Sequence, residues 1–338
     1  MAQTQTFPIS EIHKLPYLRR VPDHGRTIPL KPFWEPESGE WHVYFPVSSS
    51  ELGRLAGGEP VVGSYLSSQA ADPQQDREWP LGSFVIQHLS FPEVLPWLDR
   101  FEHRYYQLAV AMDKYDLVSG SPTERNRYYM VLAELEYVIL IVRSLYDLLQ
   151  RLIGALARTV HVPGDLERRL IANLPESFAK VVLEGEKERS ADAIAARYQL
   201  PLPIATFFHR EAASFRILRK IRNGIEHHGN APSEIYQIQA GFAVLVAESP
   251  WNELDFWTPE HLRHERFGSL RSVLAHLAKD SLDATTRFAE AFATCVAVPL
   301  SLCEDLRVYL RHPSGSWLIR LEEVLAKPWE LEPIDDER

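Results

Sequence analysis

Leu132-Ala133-Glu134-Leu135-Glu136-Tyr137-Val138-Ile139-Leu140-Ile141-Val142-Arg143-Ser144-Leu145-Tyr146-Asp147-Leu148-Leu149 is the most regular stretch of the chain. Its apolar side, continued by Leu152, Ile153 and Leu156, repeats about every 3.6 residues, the period of an amphipathic helix. The spacing predicts a helix over Glu124 to about Arg158, roughly 50 Å long. A helix of that length with so broad an apolar side is the spine of a helical bundle. Ser119-Gly120-Ser121-Pro122-Thr123 interrupts the chain before it, and Ser121 or Thr123 supplies a cap.

Helical spacing continues on both sides of this spine. Upstream, Leu98, Phe101, Tyr105, Leu108, Met112 and Tyr115 predict a helix over Leu98 to Asp116. Downstream, Leu166 to Glu186 reads as a helical segment interrupted at Pro175, and Ser190 to Arg197 as a short helix with a cap at Ser190 and Asp192. Ile204 to about His228 is a long helix after the Pro201-Leu202-Pro203 stop. Glu234 to Glu248 fits strand or helix, and Ser249 to Arg266 reads as a loop. Gly268 to Arg311 is expected to be helical, kinked or broken at Pro299, and Ser314 to Ala326 a last short helix.

The first 95 residues differ in kind. Half of the 24 prolines lie in the first 100 positions, and proline both removes a donor and breaks helices. Short β-like runs occur at Trp41 to Phe45, Pro60 to Tyr65 and Gly82 to Gln87, between turn-rich pieces. The predicted class is therefore mainly α: a helical bundle over 96–312, an irregular, partly β extension over 1–95, and a C-terminal tail over 313–338 with a short helix.

The chain has 338 residues, 45% of them apolar, and a formal charge of −10, which excludes whole-surface attraction to nucleic acid or anionic lipid. Any such binding needs a local patch. Cys295 and Cys303 stand about 12 Å apart if helical, too far for a disulfide, and are expected as buried thiols. No signal peptide and no run long enough to span a bilayer is visible, so the expected setting is the cytoplasm, with no membrane partner.

The chemistry concentrates in Lys220-Ile221-Arg222-Asn223-Gly224-Ile225-Glu226-His227-His228-Gly229. Arginine offers a permanent forked donor for phosphate. An imidazole with a pKa near neutrality can take a proton from a ribose 2′-hydroxyl or give one to a leaving 5′-oxygen. Asn223 and His227, at i and i+4, are placed for the amide to hold the ring in one tautomer. Such a cleavage needs no metal or other cofactor, and only RNA has the attacking hydroxyl. On a regular helix, however, Arg222 and His227 are about 140° apart, and His228 lies about 120° away on the other side. Either Gly224 bends the helix or two copies of the motif face each other across a two-fold axis. Arg216, Arg219 and Lys220, with His209-Arg210 before them, form a local reversal of sign beside the motif and are expected to track RNA phosphates. The plainer alternative makes Arg222 and Glu226 a surface i,i+4 pair and the histidines ordinary helix-end residues.

Arg222-Asn223-Gly224-Ile225-Glu226-His227 resembles the R-N-x-x-x-H motif of the HEPN superfamily. The order of elements, a long helix, then the motif on a later helix, then a further helix, is similar over 96–312. The resemblance implies a metal-independent endoribonuclease acting as a homodimer in a toxin–antitoxin or phage-defence setting. Arg222 would bind phosphate, Asn223 would position, and His227 or His228 would act as acid or base, the choice between them staying open. It also implies an antitoxin or other protein partner. Arg143 and Asp147, with Glu226, are the candidate supporting residues, although Arg143 and Asp147 equally suit a plain ion pair. The alternative is a catalytically inactive HEPN-like scaffold that binds nucleotide, RNA or a protein.

Other signals are weaker. His261-Leu262-Arg263-His264-Glu265 has neither zinc-protease order, and a metal site uniting those histidines with His209 is not expected. Ala191 to Phe207 faintly resembles a helix-turn-helix, but its turn holds Pro201 and Pro203 and its second helix is poor in basic residues.

Overall fold

The computed structural model describes residues 4–8, 25–27, 31–48, 51–57, 63–120, 126–162, 165–169, 174–228, 235–303, 305–311 and 317–329. The first part of the chain provides β1 (Thr4–Pro8), β2 (Phe33–Glu35), β3 (Glu40–Pro46), β4 (Glu51–Gly57), β5 (Gly63–Ser67) and β6 (Arg77–Glu78). The helices α1 (Pro80–His88), α2 (Leu95–Gly120) and α3 (Arg127–Thr159) follow. Then come β7 (His161–Val162), β8 (Asp165–Arg169), α4 (Phe178–Val182), β9 (Leu183–Glu184), β10 (Lys187–Glu188), α5 (Ala191–Tyr198) and α6 (Leu202–His228). The last part holds β11 (Ile235–Ile238), β12 (Gly241–Leu245), β13 (Leu262–Arg263), β14 (Phe267–Ser269), α7 (Leu270–Ala293), β15 (Arg307–Arg311) and α8 (Trp317–Ala326).

These elements correct the expected class. A seven-stranded sheet of order β1-β4-β3-β2-β5-β15-β6 stands beside the helices, with a four-stranded sheet β11-β12-β14-β13 and two two-stranded ribbons. The fold is mixed α/β, not a mainly helical bundle with an irregular extension. The large sheet is antiparallel except where β2 meets β5. Its strand β15 comes from the far end of the chain and pairs with both β5 and β6.

Local chemistry explains the sheet. Trp34 and Trp41 face each other in register with rings 5.0 Å apart, and Trp41 meets Tyr65 edge-on at 4.9 Å, the kind of cross-strand aromatic contact that stabilises a pleated surface. Gly53 sits where a Cβ would come within 2.5 Å of the Phe45 ring, so only glycine admits that packing. Arg311 on β15 donates to both oxygens of Asp76 at 2.7 and 2.6 Å, and Tyr65 donates its hydroxyl to the same carboxylate at 2.7 Å. With both charges buried, this forked pair anchors the C-terminal strand in the sheet.

Three segments depart from the local reading. Gly82 to Gln87 looks like a strand but lies in α1. Pro80 stands in the helix's first turn, where its fixed φ and missing donor cost nothing, and Leu81, Val85 and Ile86 bury at helical spacing. The expected helix over Gly268 to Arg311 ends at Ala293, and its last five residues are a strand buried within the sheet. The segment Leu166 to Glu186, expected as helix, divides into β8, the one-turn helix α4 and half of a tight hairpin. Glu234 to Glu248 resolves as the hairpin β11–β12.

The helices form a packed layer. Tyr146 on α3 donates to Asp280 on α7 at 3.3 Å, and His161, just past α3, bridges Ala297, just past α7. These two helices therefore run the same way. On α6, Phe207 meets Phe288 and Glu211 meets Arg287, while Tyr146 meets Phe215; α6 runs opposite to both. Arg271 pairs with Asp116 and Tyr105 with Thr285, so α2 also runs against α7. The layer joins the sheet through the Trp79–Tyr105 edge contact and through Glu102 of α2, which accepts from Ser64 and Lys31. Cys295 and Cys303 are free and buried, and burial raises both thiol pKa values, that of Cys303 to about 12.

Candidate functional site

Helix α6 carries the motif and is one continuous helix from Leu202 to His228. Ile204, Phe207, Phe208, Phe215, Leu218 and Ile221 bury its inner side. Around Phe178 of α4, the rings of Tyr146, Phe208 and Phe215 lie 5.1 to 5.5 Å away, a cluster that locks α3, α4 and α6 together. Glu211, 1% exposed, is forked to Arg287 at 2.7 Å through both oxygens, and Arg287 also binds Asp280 at 2.9 Å. Burial raises the Glu211 pKa despite the guanidinium beside it. This network sets the height of α6 against α7.

Arg222 and Asn223 stand half-buried two turns beyond Phe215. Because α6 runs against α3, that distance brings them to the level of about residue 139 of α3. The backbone of Gly224 to His228 continues the helix, but the side chains of Glu226, His227 and His228 lie outside the described residues. The continuous helix keeps the angular separation expected between Arg222 and the two histidines.

The basic residues before the motif do not face an open groove. Arg216 donates to Glu188 at 2.9 Å and to Glu253 at 2.5 Å, and Lys220 donates to the other oxygen of Glu253 at 2.6 Å. Arg219 meets the Gly185 carbonyl at 3.2 Å and Glu186 at 3.4 Å. Burial pulls the Glu253 pKa upward, but the hydrogen bonds from Lys220 and Arg216 outweigh it and leave it below the ordinary carboxylate range. The countercharges come from the β9–β10 hairpin and from the turn after β12. Counting charges along α6 sees only Glu211 and Glu226 and misses all three carboxylates, since each is 28 or more residues distant.

On α3, Asp147 accepts the backbone N–H of Phe178 at 3.1 Å and so satisfies one of the first-turn donors of α4. Gln150, one turn on, donates to the Pro175 carbonyl at 3.2 Å. Arg143 is half-buried and makes no ion pair with Asp147 among the described residues. The structure thus ties Asp147 to the position of α4 rather than to Arg143.

The loop histidines are separate. The ring of His261 accepts from the Thr258 backbone at 3.2 Å as part of a capping box, and burial lowers its pKa. His264 lies in a turn with φ +52°, while the His209 ring is 2.8 Å from the Arg189 carbonyl. Among the described residues no group of three or more His, Cys, Asp or Glu is placed to hold a metal ion. Helices α5 and α6 do meet at a short turn, but the apolar side of α6 is buried in the layer rather than presented as a recognition helix. No described helix is long and apolar enough to cross a membrane.

One surface near the level of the motif is apolar and uncovered. Tyr129 is 70% exposed, Met130 51%, Tyr137 36% and Leu140 49% on α3, beside Leu117 at 59% and Val110 at 44% on α2. Lys114 of α2 lies 5.7 Å from the Tyr137 ring, which shows that the two rows adjoin. Exposed large apolar side chains gathered on two adjoining helices are a common mark of an interface.

Comparison of the chain with protein-family models, with curated proteins and with solved structures returns no match.

Proposed function

We propose that the protein is a metal-independent endoribonuclease of HEPN type that works as a homodimer. Arg222 binds the scissile phosphate and Asn223 orients the base. His227 or His228 takes the proton of the ribose 2′-hydroxyl. The O2′ then attacks phosphorus, the P–O5′ bond breaks, and a second imidazole returns a proton to the 5′-oxygen. The products are a 2′,3′-cyclic phosphate and a 5′-hydroxyl. The observation that carries this reading is the motif's place in the last turns of the unbroken helix α6, with Arg222 and Asn223 half-buried. An unbroken helix keeps Arg222 and His227 about 140° apart, so one copy does not turn both to one phosphate, and the exposed apolar residues of α2 and α3 offer a second copy a contact surface. A toxin–antitoxin or phage-defence role, with a neutralising protein partner, belongs to the same proposal.

The pairing of Arg216, Arg219 and Lys220 with glutamates favours a second reading, a catalytically silent scaffold. Incubation of the protein with total RNA in EDTA separates the two, beside an Arg222→Ala, His227→Ala, His228→Ala variant. Cleavage by the wild type alone supports the nuclease. Equal cleavage by both, or none by either, leaves the scaffold.

A further inference from the structure

The neutralised cations of α6 leave open where a polyanion would be held, and the groove between α4, α5 and the β9–β10 hairpin supplies a place. Lys180 of α4, Arg189 after β10 and Arg197 of α5 converge on a solvent-open groove of about 520 Å³, with Pro175, Leu183 and Tyr198 among its walls. No carboxylate lines it among the described residues. Lys180 and Arg197 are exposed and have no ion-pair partner among the described residues. Arg189 is held in place by the Leu183 carbonyl at 3.0 Å and is paired with Glu184 at 3.4 Å.

The groove has a built frame. Tyr198 donates its hydroxyl to the Lys180 carbonyl at 2.6 Å, which ties α5 to α4. The Arg197 guanidinium lies 5.7 Å from the Tyr198 ring. Ser190 caps α5 by accepting from Ala193, and Asp147 holds the first turn of α4. Lys180 and Arg197, beside the paired Arg189 and on mutually braced elements, in a chain of charge −10, form the local reversal of sign that a phosphate backbone requires. The ring of Tyr198 is 7% exposed, so it offers little face for stacking a base; phosphates rather than bases are the groups this surface suits.

We propose that this groove binds the phosphodiester backbone of single-stranded RNA and leads the strand toward the motif. His209, against the Arg189 carbonyl, marks the groove's height on α6, and about 20 Å of helix separates it from Arg222. The groove therefore acts on the strand at a distance from the cleaved bond. The identity of the polyanion rests on the nuclease reading; the electrostatics of the groove do not.

The test is binding of a fluorescent U20 oligonucleotide at low salt. It compares the wild type, a Lys180→Glu/Arg197→Glu variant, and an Arg100→Glu/Arg266→Glu control that makes the same change in net charge on exposed residues elsewhere. At least tenfold weaker binding by the groove variant, with the control within about twofold of wild type, is the expected result. Unchanged binding by the groove variant, an equal loss in the control, or no binding by the wild type overturns the proposal. The same oligonucleotide is followed for cleavage with the Arg222→Ala, His227→Ala, His228→Ala variant. Groove-dependent binding without cleavage by the wild type refutes the nuclease reading and leaves the groove standing. Cleavage that is lost in the triple variant but binding that ignores Lys180 and Arg197 does the reverse.

Discussion

The basic run on α6 and the groove between α4 and α5 contain the same kind of residue and differ in what surrounds them. Arg216, Arg219 and Lys220 are gathered in sequence and dispersed in effect, because Glu188, Glu253 and Glu186 occupy their donors. Lys180, Arg189 and Arg197 are scattered in sequence and gathered in space, with no carboxylate lining the surface they share. A row of charges along a helix therefore says little about the field at its surface until the facing elements are known.

The largest expected effect tests the scaffold that holds the two regions apart. Phe178→Ala removes the ring at the centre of the Tyr146, Phe208 and Phe215 cluster and should cost about 3–5 kcal/mol in chemical denaturation. A loss under about 1 kcal/mol would mean that α4, and the groove with it, is not anchored on α6.

Asp147→Ala comes next. It leaves the Phe178 N–H without its acceptor and should cost about 1–2 kcal/mol. RNA affinity should fall with the loosening of α4, while Asp147→Asn, which keeps an acceptor oxygen, should restore most of both. If the alanine variant keeps its stability and loses only turnover, Asp147 acts in catalysis instead.

Glu253→Gln tests the contrast from the other side. It removes the countercharge of Lys220 and leaves Arg216 with Glu188 alone, so stability should drop by about 1 kcal/mol or less, as expected for a partly exposed pair, while U20 affinity should rise several-fold. Unaltered affinity would show that those cations cannot reach the strand even without that countercharge.

The smallest effect is a pH dependence. The pKa of Glu253 in the folded chain lies below its ordinary value, so its stabilising pairing is complete above the unfolded carboxylate range. It is lost as pH falls from about 4.5 downward through the folded value. The stability difference between wild type and Glu253→Gln should therefore shrink over that acid range and be constant around neutrality. A difference that grows on acidification would contradict the assignment.

Much of the helical layer was legible in the sequence. The period of Leu135, Val138, Val142, Leu145 and Leu149 marks α3, and Ser190 marks the start of α5 by the hydrogen bond it accepts. The sheet was not. Its strands are short, and β15 becomes a strand only because β5, more than 200 residues earlier, and β6 pair with its two edges. Gly82 to Gln87 misleads because β-branched and aromatic composition speaks for a strand while Pro80 and the burial of Leu81, Val85 and Ile86 favour a helix. At the site, the motif's place on a long helix was readable, whereas the ion pairs that neutralise its neighbours were not, since every countercharge arrives from another element. Lys180, Arg189 and Arg197 have no sequence signature, because three different elements bring them together.

The salt dependence of U20 binding tests the contrast most directly, since each phosphate-contacting cation on a single strand contributes about 0.7 to the slope of log K against log salt. The slope should become shallower by about 1.4 in Lys180→Gln/Arg197→Gln and stay at the wild-type value in Arg216→Gln/Lys220→Gln. A slope unchanged by the first pair and reduced by the second would place the strand on α6 and contradict the account.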